Sequence, residues 1–288
     1  MQSNDTNQRD KRDPGAAQDV SQPRGRYRLA LLDLDGTLWR GTDVIQGAPE
    51  FVERLRDEGI RPVYFTNNAS RTPEHVAELL RGMGFSAEPD EVCTSAQAAA
   101  HLLKKRVPEA GVVAYVGAEG LREALLSEGF DARRADGEQL REPWVNETVA
   151  AVVGLDQKVN YMDLALVSRV ARRLGWFVLT NPDVRLPVED GFLPGNGSIG
   201  AFVATASGTE PLVTGKPDPS FVAYALERYG VPADFAVIIG DNLQTDILAG
   251  KHAGIHSILV RTGITPDPGV GDPTPDEIVD SVENLFRH

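Results

Sequence analysis

Cysteine is nearly missing from this 288-residue chain. Cys93 stands alone, which excludes an intramolecular disulfide and fits a reducing, cytoplasmic setting. Its neighbours Glu91 and Val92 supply no base, so it reads as a small half-buried side chain rather than a nucleophile. No stretch approaches the roughly 20 continuous apolar residues of a membrane span, and the N-terminus lacks the apolar core of a signal peptide. Basic residues are in deficit: 29 Lys and Arg stand against 42 Asp and Glu, a net charge of −13. Residues 1–28 carry +2 of this balance, so the rest holds −15. Such a body lacks the clustered positive charge that nucleic-acid backbones and anionic membranes require.

What the chain does have is acids at the ends of apolar runs. Asp33-Leu34-Asp35-Gly36-Thr37 follows Leu29-Ala30-Leu31-Leu32, which reads as a buried strand. Two carboxylates two residues apart lie on one side of an extended backbone, and Gly36 lets the chain turn where the strand stops. That end of a strand is where open α/β sheets bind ligands. By itself the motif is also compatible with a solvated Asp turn. Three further segments change the weighing. Val63-Tyr64-Phe65 delivers Thr66-Asn67-Asn68, and Gly215-Lys216-Pro217 sets a Lys in a turn. Val237-Ile238-Ile239 delivers Gly240-Asp241-Asn242, with Asp246 five residues after Asp241.

Taken in order, these four motifs resemble those of the haloacid dehalogenase (HAD) superfamily of phosphohydrolases, over the chain from about Tyr27 to the C-terminus. The resemblance implies a doubly wound, Rossmann-like α/β core with an inserted α/β class-II cap. The segments 180–183 and 194–198, with 204–208 leading to Lys216, are similar to the NagD and 4-nitrophenylphosphatase-like branch. The expected division is a disordered tail over 1–26, core over 27–106 and 211–288, and the cap over 107–210. Helices are expected over 49–58, from Pro73 with Thr72 as N-cap, and over 95–105; in the cap, strands at 112–116, 149–155 and 176–180 should alternate with helices at 119–128 and 161–174. His75 and His101 read as surface or packing residues. Trp39 reads either as a core residue or as one beneath the cap.

The resemblance also assigns roles. Asp33 is the nucleophile forming an aspartyl-phosphate, and Asp35 the general acid and base, its backbone carbonyl serving the metal as well. Thr66 offers a hydroxyl and Asn67 a backbone N–H to the phosphoryl oxygens, beside the positive charge of Lys216. Asp33, Asp35, Asp241 and Asp246 are the expected ligands of Mg2+, a hard cation suited to oxygen donors. Asp246 has a plainer reading as favourable charge at a helix N-terminus. Asn68, Asn181 and Arg185 are candidates for substrate contact. The expected partner is a small phosphorylated metabolite, with no nucleic acid and no membrane, and two copies pairing through the cap.

Gly195-Asn196-Gly197-Ser198-Ile199-Gly200 fits the dinucleotide pattern G-x-G-x-x-G, but it follows a segment read as irregular, Asp190 to Pro194. A turn feeding a helix is the better reading. A phosphomutase is the nearest chemical rival, yet only residues 37–48 separate the first motif from the next helix, too few for a helical cap. A non-catalytic phosphate-binding scaffold is the rival from another class, and the intact acids and Lys216 argue against it.

Overall fold

The structure is a computed structural model describing residues 26–188, 190–263 and 267–286. All but the last residue of the tail read over 1–26 lies outside the described residues. Leu29–Leu32 is fully buried at the centre of a six-stranded parallel sheet. In spatial order its strands are Glu277–Val279, His256–Val260, Ala236–Gly240, Leu29–Leu32, Arg61–Thr66 and Val92–Thr94. Continuous apolar runs make such strands because both faces are covered. Ala30 and Leu32 pack with Phe51 and Leu55 on one face, while Leu29 and Leu31 meet Phe221 and Val222 on the other. The ladder pairs Leu32 with Tyr64 on one side and with Ile239 on the other, so three motif-bearing strands end side by side.

A second parallel sheet takes Pro211–Val213, Phe177–Leu179, Ala150–Val153, Val112–Val116 and Asp131–Arg134, in that spatial order. Its helices Glu119–Ser127 and Tyr161–Leu174 fall where the periodicity placed them. Two differences stand out. Pro211–Val213 pairs with Phe177–Leu179, so the second sheet continues past residue 210. And the dinucleotide-like glycines do follow a strand: Gly191–Pro194 pairs antiparallel with Arg185–Val188, correcting the irregular reading. An antiparallel hairpin still lacks the βαβ context that a dinucleotide needs.

The helix Ser95–Arg106 joins the two halves. Ala96, Ala99, Ala100 and Leu103 pack with Val113, Tyr115 and Leu121 of the second unit, while Ala98 packs with the first. Its short side chains let both units approach one helix closely. Thr72 caps its helix, its hydroxyl accepting from the His75 N–H at 3.3 Å. Trp39 is buried in the main core. Cys93 is fully buried, and burial pushes its thiol up to about 12, which leaves it inert. Among the described residues, no helix is long and apolar enough to cross a membrane.

Candidate active site

The side chains of Asp33, Asp241 and Asp246 present oxygens within 4.8 Å of one another at the carboxyl ends of adjacent strands. Asp33 follows Leu29–Leu32 and donates its backbone N–H to Ile239 O at 2.9 Å, continuing the ladder one residue beyond the strand. Asp241 follows Ala236–Gly240. Asp246 arrives on a wide π-helical turn, Leu243–Ile247, capped by Asn242, and its Oδ2 accepts from the Asn242 N–H at 3.1 Å. Asp241 and Asp246 are 2% and 1% exposed, whereas Asp33 is only partly buried. Of the three, Asp33 is the most accessible.

Lys216 lies among them. Its Nζ donates to Asp33 Oδ1 at 2.5 Å, to Asp246 Oδ1 at 2.7 Å and to Phe65 O at 3.2 Å. Burial would depress its pKa, but the two carboxylates outweigh that and hold the ammonium above its ordinary range. Asp246 is pushed the other way: burial, then the charge of Asp33, raises it to about 7 against the pull of Lys216. Three carboxyl groups thus meet in one largely buried site, two of them bonded to the same ammonium. A divalent cation, which takes hard oxygen ligands, fits that donor set. Asp35 contributes no carboxylate to this group; it is exposed, with Oδ1 accepting from the Gly41 N–H at a long 3.4 Å.

Glycine backbone packs closely against Asp241 and Asp246. A Cβ at Gly36, whose φ is +85°, would lie 2.4 Å from Asp241 Oδ2. One at Gly240 would lie 2.3 Å from Asp246 Cγ, and one at Gly263 only 1.8 Å from Asp241 Oδ2. Gly263 belongs to a turn that Thr262 ties to the first motif, its hydroxyl donating to Gly36 O at 2.7 Å. Arg40 also donates to Thr262 O. Replacing Gly263 with Ala forces either the Asp241 carboxylate or the turn itself to move, and we expect the carboxylate to give way. We expect affinity for a divalent cation, measured by calorimetry, to fall by about 10- to 100-fold, the usual cost of misplacing a ligand through its support. Unchanged affinity would mean that the turn yields instead.

The second motif is built differently from its neighbours. Thr66 is buried, and its Oγ1 accepts from the Asn68 N–H at 3.1 Å. The carboxamide of Asn67 pairs with both backbone groups of Lys216: Oδ1 accepts from Lys216 N–H at 2.7 Å, and Nδ2 donates to Lys216 O at 3.0 Å. Its second N–H goes to Asp183 Oδ2 at 3.1 Å. Asp183 carries no role in the sequence reading, although it too follows a strand end, after Phe177–Leu179. Burial raises its pKa, with the Asn67 hydrogen bond and Lys216 opposing and the charge of Asp33 adding.

The three expected substrate contacts each have partners other than the acids. Asn68 is exposed, and its Oδ1 accepts from the Ser70 N–H at 2.8 Å. Asn181 is 6% exposed and donates to Asn67 O at 2.9 Å, so its amide joins the two units. Arg185 is exposed on the hairpin with its guanidinium 4.9 Å from the centre of the Phe192 ring.

Comparison with known proteins places the chain in a family. A haloacid dehalogenase-like hydrolase family model matches residues 30–131, and a HAD-hydrolase-like model matches 213–285. The chain is 39% identical over 240 residues to an acid sugar phosphatase of Staphylococcus aureus, covering 83% of this chain and 88% of the relative. Among solved structures, a glycerol phosphate phosphatase from Mycobacterium tuberculosis in complex with magnesium is similar at a TM-score of 0.80 and 34% identity, over 89% of this chain and 75% of that one. A p-nitrophenyl phosphatase from Archaeoglobus fulgidus gives 0.80 and 28%, over 90% and 98%.

Proposed function

The chain belongs to the haloacid dehalogenase-like hydrolases, in their NagD and 4-nitrophenylphosphatase-like branch, and from that premise we propose that it is a magnesium-dependent phosphatase of small sugar and polyol phosphates. That it is a phosphoric monoester hydrolase follows from the family; the metal and the substrate class are our reading. The observation that carries the reading is the convergence of Asp33, Asp241 and Asp246, whose oxygens lie within 4.8 Å of one another, with Lys216 bonded to Asp33 and Asp246.

Asp33 attacks phosphorus and takes the phosphoryl group as an aspartyl-phosphate while the ester oxygen leaves. Asp35 is exposed and loosely held, which suits a side chain that gives a proton to the leaving alcohol and later takes one from the attacking water. The Thr66 hydroxyl and the Asn67 N–H hold phosphoryl oxygens, and Lys216 places positive charge where negative charge develops. Asp33, Asp241 and Asp246, with the Asp35 carbonyl, would hold the cation, which when bound neutralises carboxylate and phosphate charge. Names of the relatives favour sugar and glycerol phosphates among the esters. Phosphoglycolate, pyridoxal phosphate and nucleotide monophosphates are the other members of the class to be compared.

Phosphate release from this panel, with and without magnesium after exhaustive chelation, tests the reading. Release should vanish on chelation and return with magnesium, with sugar or glycerol phosphates at the top of the kcat/KM order. Full activity in verified metal-free protein would exclude the metal role, and a flat substrate order would exclude the preference.

A further inference from the structure

Asn67 is held by the cap at both ends. Its side chain donates to Asp183 Oδ2, and its backbone carbonyl accepts from Asn181 Nδ2. Both partners sit in the four residues after strand Phe177–Leu179 of the second sheet. That segment in turn rests on the glycines of the dinucleotide-like pattern. Gly197 N–H donates to Asp183 O at 2.8 Å, and a Cβ at Gly195 would lie 2.2 Å from that same oxygen. A Cβ at Gly197 would lie 2.2 Å from Pro182 O. Asn196 adds hydrogen bonds to Thr180 Oγ1 and Asn181 O. The glycines thus serve to let a helix N-terminus grip the backbone that carries Asp183.

We propose that Asp183 is a positioning residue through which the second unit completes the phosphate-binding surface of the first. A carboxamide can be turned two ways about its last bond, but a carboxylate accepts only from its N–H side. Asp183 therefore reinforces the orientation that Lys216 O also selects, with Asn67 Oδ1 toward the Lys216 N–H, and the pairing steadies the turn from which Lys216 reaches Asp33 and Asp246. The effect lands on the phosphoryl group shared by every substrate, not on the alcohol that distinguishes them. This inference rests on the phosphatase reading above.

The test compares Asp183→Ala with Asp183→Asn, whose amide oxygen can still accept from Asn67. For Asp183→Ala we expect kcat/KM to fall about tenfold in parallel for 4-nitrophenyl phosphate and glycerol 3-phosphate, the value of one buried hydrogen bond. Inhibition by inorganic phosphate should weaken by a similar factor, and Asp183→Asn should recover most of both. Adding Asn67→Ala to Asp183→Ala should cost little more than Asn67→Ala alone. Three results would overturn the proposal: a change confined to the ratio between substrates, unchanged phosphate inhibition in Asp183→Ala, or additive effects of the two substitutions. Activity of the wild-type protein on both esters is read in the same experiment, so absence of turnover there would point to the phosphatase reading itself.

Discussion

Asp33→Asn should lower kcat on the order of 10^4- to 10^6-fold, the scale seen when a covalent nucleophile is removed from a hydrolase. An amide is nearly the same shape as a carboxylate but cannot accept the phosphoryl group. The same change should leave the metal-free fold as stable as before, or more so. Asp33 lies within 4.8 Å of the carboxylates of Asp241 and Asp246, and removing its charge relieves that crowding while leaving Lys216 paired with Asp246 at 2.7 Å. Phosphate release and thermal unfolding in chelator, measured on one preparation, check both halves. Substantial turnover by purified protein free of contaminating phosphatase would remove Asp33 from the mechanism. A large loss of thermal stability would instead make its charge structural.

Lys216→Met inverts that pattern. Methionine conserves much of the volume but leaves Asp33 and Asp246 without their shared cation in a site where Lys216 is 2% exposed. Removing one partner from a buried ion pair costs about 3–5 kcal/mol, which for a chain of this size is roughly 10 °C in Tm. Saturating magnesium should recover part of the loss, because a bound cation supplies charge the lysine no longer does. The kcat/KM should fall by about 10^2- to 10^3-fold even in excess magnesium, since the second positive charge on the phosphoryl group is gone. A Tm unaffected in chelator would show that the acids protonate at no cost to the fold.

Both substitutions act on residues that the sequence marks openly. An apolar run ending in Asp or Thr announces a buried strand and what it delivers, because periodicity and turn chemistry are local. Leu29 to Asp33, Arg61 to Thr66 and Ala236 to Asp241 follow that rule. What escaped has weaker local signals. Asp131–Arg134 is an edge strand of the second sheet with only partly buried or exposed residues, so it carries no apolar run. The Arg185–Val188 and Gly191–Pro194 hairpin is similarly exposed and contains prolines. Gly263 is invisible in sequence because its importance is the carboxylate of Asp241 against its Cα, a contact across chain segments. Asn181 was legible as polar and near the site, but not its partner: tertiary packing spends its amide on the Asn67 carbonyl. Asp183 had the signature of a strand-end acid and lay within a segment already singled out.

The placement of Leu29–Leu32 between Arg61–Thr66 and Ala236–Gly240 also has a meaning for synthesis on the ribosome. Asp33 emerges early, but Lys216, Asp241 and Asp246 follow about 200 residues later, on the order of 10–40 s at ordinary elongation rates. For that interval the strand has a neighbour on one edge only, and its other edge is an unpaired apolar ladder, a template for wrong pairing. The second sheet, by contrast, has most of its strands as a continuous block of sequence and can form meanwhile. Assembly of the acid cluster therefore waits until the segment from Lys216 to Asp246 has emerged. A fragment ending before Ala236 would carry the nucleophile with no Asp241 or Asp246 beside it, and an open sheet edge that a holdase chaperone would be expected to cover.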